Sequence, residues 1–68
     1  MEFWVYNGRV YTDQSKLDEV LFNTISRNTH NVHSVEVQVQ DAYYDGTVDC
    51  YNMTEEKFNE FRKDYKVL

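Results

Sequence analysis

Residues 35–52 read VEVQVQDAYYDGTVDCYN, and the folding of this stretch decides the architecture of the whole chain. Valine alternates with glutamate or glutamine from Val35 to Gln40, the period-2 pattern of a strand with one buried and one wet face. Asp45-Gly46 follows, a dipeptide suited to the positive-φ positions of a tight hairpin turn. A two-residue loop there sets Tyr43 opposite Val48, Asp41 opposite Cys50 and Val39 opposite Asn52. Val35, Val37, Val39, Tyr43, Val48 and Cys50 then share one face, and Glu36, Gln38, Gln40, Tyr44, Asp49 and Tyr51 the other. Parity leaves Asp41 on the apolar side, where a bulge or a partner at the edge of the core must accommodate it. The stretch therefore reads as an antiparallel β-hairpin.

Upstream, EFWVYNGRVYT (residues 2–12) places aromatic and β-branched residues on both sides of Asn7-Gly8, the strongest short-range hairpin signal. A type I′ turn there sets Tyr6 against Arg9, Val5 against Val10 and Trp4 against Tyr11. Phe3, Val5 and Val10 then share one side, and Trp4, Tyr6, Arg9 and Tyr11 the other. Both sides carry large rings, so one is core and the other is either covered by a helix or offered for binding. Between the hairpins, Leu17, Val20, Leu21, Thr24 and Ile25 recur at helical spacing. They predict a helix from about Gln14 to Arg27, capped by Thr12, Asp13 or Ser15. Residues 28–33, NTHNVH, are polar and aperiodic and read as a connection. At the C-terminal end, Thr54 is a good N-cap, Glu55 and Glu56 suit a first turn, and Phe58, Phe61, Tyr65 and Leu68 form an apolar stripe.

The expected fold is thus a small α+β domain spanning residues 1–68. Two hairpins form an antiparallel sheet with two helices on one face, in the order ββαββα, or βαββα if Asn7-Gly8 is a bulge within one long strand. A chain of 68 residues buries only about 60% of the surface its unfolded form exposes. Its single cysteine cannot form an internal disulfide, so the core must come from six Tyr, four Phe and one Trp, each ring burying roughly 150–250 Å².

No residue pattern points to catalysis. His30 and His33 have H-x-x-H spacing but lack the further ligands a zinc site needs, so no metal is expected. Cys50 is expected mid-strand on the apolar face, a structural cysteine and not a nucleophile. The pairs Asp41 and Asp45, and Glu55 and Glu56, have ordinary structural roles at a turn and a helix start. Both glycines are absorbed by turns, leaving no phosphate-binding loop and no cofactor motif. The chain reads as a non-enzyme.

Charge supplies the functional signal. Net charge is −5, and from Asn28 to Glu56 there is no lysine or arginine, only Glu36, Asp41, Asp45, Asp49, Glu55 and Glu56. Such a surface opposes direct contact with phosphates, although Tyr44 and Tyr51, or Trp4, Tyr6 and Tyr11, offer rings for stacking single-stranded nucleic acid. It suits a protein partner with a basic surface. The expected contact residues are Glu36, Gln38, Gln40, Tyr44, Asp45, Asp49, Tyr51, Glu55 and Glu56. The favoured function is a small acidic binding module, an inhibitor or modulator that occupies the nucleic-acid-binding surface of its partner. The alternatives are a homo-oligomer built through sheet edges or through Trp4 and Tyr11, and a single-strand binder. In composition the chain is similar to small accessory proteins of phages and other mobile elements. The N-terminus lacks a basic start and an apolar run, and no segment approaches the roughly 20 apolar residues of a membrane helix. Residence in the cytoplasm, where an unpaired thiol is stable, is the expectation.

Overall fold

The computed structural model describes residues 1–68, Val32 by its backbone alone. Strands β1 (Glu2–Tyr6) and β2 (Arg9–Tyr11) are followed by helices α1 (Gln14–Ser26) and α2 (Val32–Ala42). Strand β3 (Asp49–Asn52), helix α3 (Glu55–Phe61), a 3-10 turn (Arg62–Asp64) and strand β4 (Lys66–Val67) complete the chain. The four-stranded sheet runs β3-β1-β2-β4, antiparallel except for the parallel β2–β4 pair. The domain is therefore α+β, with a mixed sheet in place of two antiparallel hairpins.

The first hairpin forms in the expected register, Tyr6 against Arg9, Val5 against Val10 and Trp4 against Tyr11. Asn7 and Gly8 have φ of 53° and 75°, the left-handed pair that a type I′ turn requires. Asn7-Gly8 is thus a turn and not a bulge. Both faces of this hairpin carry large side chains, and both are covered, which corrects the expectation of helices on one face only. Trp4 and Tyr11 pack with Leu17 and Leu21 of α1, Ala42 of α2 and Val48. Phe3, Val5 and Val10 pack with Phe58 of α3, and Tyr51, Met53, Phe61 and Tyr65 flank that cluster. Phe3 sits at its centre, stacked on Tyr51 at 5.2 Å and meeting Phe58 edge-on at 4.8 Å.

Helix α1 starts and ends as its sequence predicts, with Asp13 as the N-cap accepting from the Ser15 amide at 3.0 Å. The decisive correction concerns residues 35–42, which are helical where the alternation predicts a strand. Asn31 supplies the start signal, its side chain accepting from the His33 and Ser34 amides at 3.0 and 3.4 Å. The spacing Val35, Val39, Ala42 fits one helix face as well as Val35, Val37, Val39 fits one strand face. Burial separates the two: Val35 is 1% exposed, whereas Val37 is 46% exposed. Valine is a weak helix former by a few tenths of a kcal/mol, but burying Val35 returns about 1.5–3 kcal/mol. Helix packing outweighs propensity.

Asp45-Gly46 serves the end of α2 and not a hairpin. The Asp45 amide donates to the Asp41 carbonyl at 2.9 Å, and the Val48 amide donates to the Ala42 carbonyl at 3.0 Å. Gly46 takes φ of 92° within this loop. The Asp45 carboxylate accepts from the hydroxyl and the amide of Thr47, and these bonds hold its carboxyl below the ordinary aspartate range. The registers of Tyr43 with Val48, Asp41 with Cys50 and Val39 with Asn52 do not form. Instead β3 pairs with β1, setting Cys50 against Trp4 and Tyr51 against Phe3. Asp41, troublesome in a strand, is exposed on α2.

Thr54 caps α3 as expected, accepting from the Lys57 amide at 3.3 Å, with Glu55 and Glu56 in the first turn. The helix ends at Phe61, earlier than the apolar stripe implies. The chain then turns so that Lys66-Val67 adds to β2, and the Leu68 amide donates to the Val10 carbonyl at 2.8 Å. Among the described residues, no helix is long and apolar enough to cross a membrane.

Candidate functional site

The helix hairpin covers the Trp4 face of the sheet only in part, leaving an open groove of about 850 Å³ beside β3. Its floor is Trp4 and Cys50, neighbours across the β1–β3 pair, with Glu2 at the end of the same face. One wall is α1, which presents Gln14, Asp18 and Phe22 at successive i,i+4 positions, and Glu19 beside them. The other is α2 and its C-terminal end, with Glu36, Gln40 and Tyr44 at the same spacing and Val39 and Tyr43 nearer the floor. Four carboxylates, Glu2, Asp18, Glu19 and Glu36, thus surround an aromatic interior. No lysine or arginine occurs among the described lining residues.

Tyr43 ties the walls together, its hydroxyl donating to the Asp18 carboxylate at 2.5 Å. Partial burial, reinforced by that carboxylate, pushes the Tyr43 phenol well above the ordinary tyrosine range. The raised value means that the neutral phenol stabilises the fold below about pH 10, where the unfolded chain's tyrosine ionises, and that this contribution fades as pH rises further. Ultraviolet titration should show the Tyr43 phenol ionising well above the range of a free tyrosine. Asp18→Asn should move that phenol part of the way back, since burial remains; superimposable titrations of the two proteins would contradict the assignment.

The expected contact residues separate into several groups. Glu36, Gln40 and Tyr44 line the groove, and Tyr44 is 90% exposed at its rim. Gln38 and Asp45 lie around a smaller hollow with Ile25, Asp41 and Thr47. Residues 36 and 38 diverge because a helix turns through about 200° between them. Asp49 and Tyr51 point to the opposite face of the sheet, where Tyr51 packs on Phe3 and Phe61. Glu55 and Glu56 begin α3 and do not line the groove. A single acidic hairpin face does not exist.

The remaining candidates are also redistributed. Cys50 is exposed and not buried, because β3 is an edge strand over which the helices stop short. Trp4 and Tyr11 are buried against the protein's own helices, Trp4 with its remaining exposed edge in the groove floor. His33 lies in the first turn of α2, and no group of three or more His, Cys, Asp or Glu among the described residues could hold a metal ion. The sequence reading missed Glu2, Trp4, Asp18, Glu19, Phe22 and Tyr43 as groove residues. Their signal was available in part: Gln14, Asp18 and Phe22 form an i,i+4 stripe on α1 that borders the buried face of Leu17 and Leu21.

In comparisons with known proteins, no family model matches the chain, and no curated protein or solved structure is significantly similar to it.

Proposed function

We propose that the protein is a non-enzymatic binding module whose groove takes a basic segment of a partner protein, of the kind a nucleic-acid-binding surface offers. By occupying that surface it acts as an inhibitor or modulator of the partner. The observation that carries this reading is the gathering of Glu2, Asp18, Glu19 and Glu36 from three elements around Trp4, Phe22 and Tyr43, without a cation in the lining. Carboxylates attract guanidinium or ammonium groups, while the rings accept their aliphatic stems and, face-on, the cations themselves. The net charge of −5 speeds encounter with a basic partner, an effect that salt weakens. The exposed thiol of Cys50 fits a reducing compartment such as the cytoplasm.

Two variants with matched charge test the site. Glu19→Lys/Glu36→Lys reverses carboxylates in the groove, whereas Glu55→Lys/Glu56→Lys makes the same change at the start of α3. Titrated with an arginine-rich peptide at low ionic strength, the groove variant should bind about tenfold or more weakly than the parent. The α3 variant should lose roughly two- to threefold through net charge alone. Equal losses would mean that the groove is not the site.

A further inference from the structure

We infer that the basic segment binds as an added strand, pairing antiparallel with the open edge of β3 while alternate side chains enter the acidic groove. This rests on the groove reading and specifies the backbone of its occupant. Strand β3 ends the sheet, with β1 on its inner side. The Met53 amide donates to the Met1 carbonyl at 2.9 Å, and the β1–β3 register places those residues directly opposite. Bonded and unbonded pairs alternate along an antiparallel ladder, so Tyr51 and Asp49 bond inward to β1. The N–H and C=O groups of Cys50 and Asn52 consequently point outward to the open edge.

Side-chain parity links that edge to the groove. Cys50 lies opposite Trp4 and shares its face, and both side chains line the groove. In antiparallel addition, the residue bonded to Cys50 directs its own side chain to the same face. A cationic residue there meets the region bounded by Glu2, Asp18 and Glu36. Its neighbours fall on the face of Asp49 and Tyr51, so the fitting occupant alternates cationic with uncharged residues. Exposed strand edges are recurrent sites for such peptide addition, with backbone bonds giving affinity and alternate pockets giving specificity. Charge complementarity selects a basic protein segment over a second copy of this acidic chain.

The test uses an eight-residue peptide alternating arginine and valine, and two forms of it N-methylated either on the arginines or on the valines. Methylating the arginines should weaken binding about tenfold or more by removing the bonds to Cys50 and Asn52. Methylating the valines, whose N–H groups face away from β3, should leave affinity nearly unchanged. Amide exchange at Cys50 and Asn52 should slow when the unmodified peptide binds. Equal affinities for all three peptides, with unchanged exchange at those amides, would overturn strand addition. Carboxylate-dependent binding in that case would leave the groove reading standing, whereas binding indifferent to Glu36→Gln and Glu19→Gln, or no binding at all, would overturn that reading too.

Discussion

Phe3→Ala should cost about 3–5 kcal/mol of folding free energy, the range for emptying a phenylalanine site in a packed core. Phe3 is fully buried and touches three rings, Tyr51, Phe58 and Phe61, at centroid distances of 5.2, 4.8 and 5.3 Å. These three rings come from β3 and α3, so the site cannot collapse by moving one side chain. At roughly 0.05–0.15 kcal/mol per residue, a domain of this length has about 3–10 kcal/mol to lose. The variant should therefore unfold at a far lower urea concentration, or lack cooperative unfolding altogether. Tyr51→Phe keeps the stacked ring and should remain near the parent. A loss below about 1 kcal/mol in Phe3→Ala would show that α3 does not close this face of the sheet.

The second large effect separates the helical and strand readings of residues 32–42. In a strand, Val35 and Val37 share the buried face; in α2, Val35 is buried and Val37 exposed. Val35→Glu places a carboxylate at a site only 1% exposed to solvent and should destabilise by several kcal/mol. Val37→Glu should lie within about 0.5 kcal/mol of the parent, like other surface substitutions. Urea titrations of the two variants check both values. Comparable destabilisation would restore the strand.

The contrast explains which parts of the fold could be read in advance. Asn7-Gly8 has one good use between two strongly β-prone segments, so the hairpin and its register followed directly. Helix α1 showed a single period, with Leu17 and Leu21 on its buried face, and Thr54 marked the start of α3 without ambiguity. Residues 35–42 satisfy two periods at once, because Val35 and Val39 share a face in a helix and in a strand. Asp45-Gly46 likewise ends a helix as readily as it joins two strands. What resolved both was tertiary: β1 pairs with β2 on one side and β3 on the other, while the Trp4–Tyr11 face needed a cover.

The candidate site inherited this ambiguity. Glu36, Gln40 and Tyr44 share a face under either period, so they were identified although the strand that was to carry them does not form. Gln38 was grouped with them by the wrong period, and Asp49 and Tyr51 by the wrong strand partner. Asp18, Glu19 and Phe22 escaped because an acidic, solvated helix face is ordinary until a second helix lies beside it. With α2 in place, the stripes Gln14-Asp18-Phe22 and Glu36-Gln40-Tyr44 become the walls of one groove.

Trp4 is the only tryptophan in the chain and lies in the groove floor, so its fluorescence reports directly on occupancy. The decisive measurement is a titration of the protein with the arginine-valine peptide, following Trp4 emission and binding anisotropy of a labelled peptide together. A basic segment seated in the groove should shift Trp4 emission saturably, with the same midpoint as the anisotropy, and Glu19→Lys/Glu36→Lys should weaken both signals together. Saturable anisotropy with unchanged Trp4 emission would place the partner elsewhere on the acidic surface and contradict the groove as the binding site.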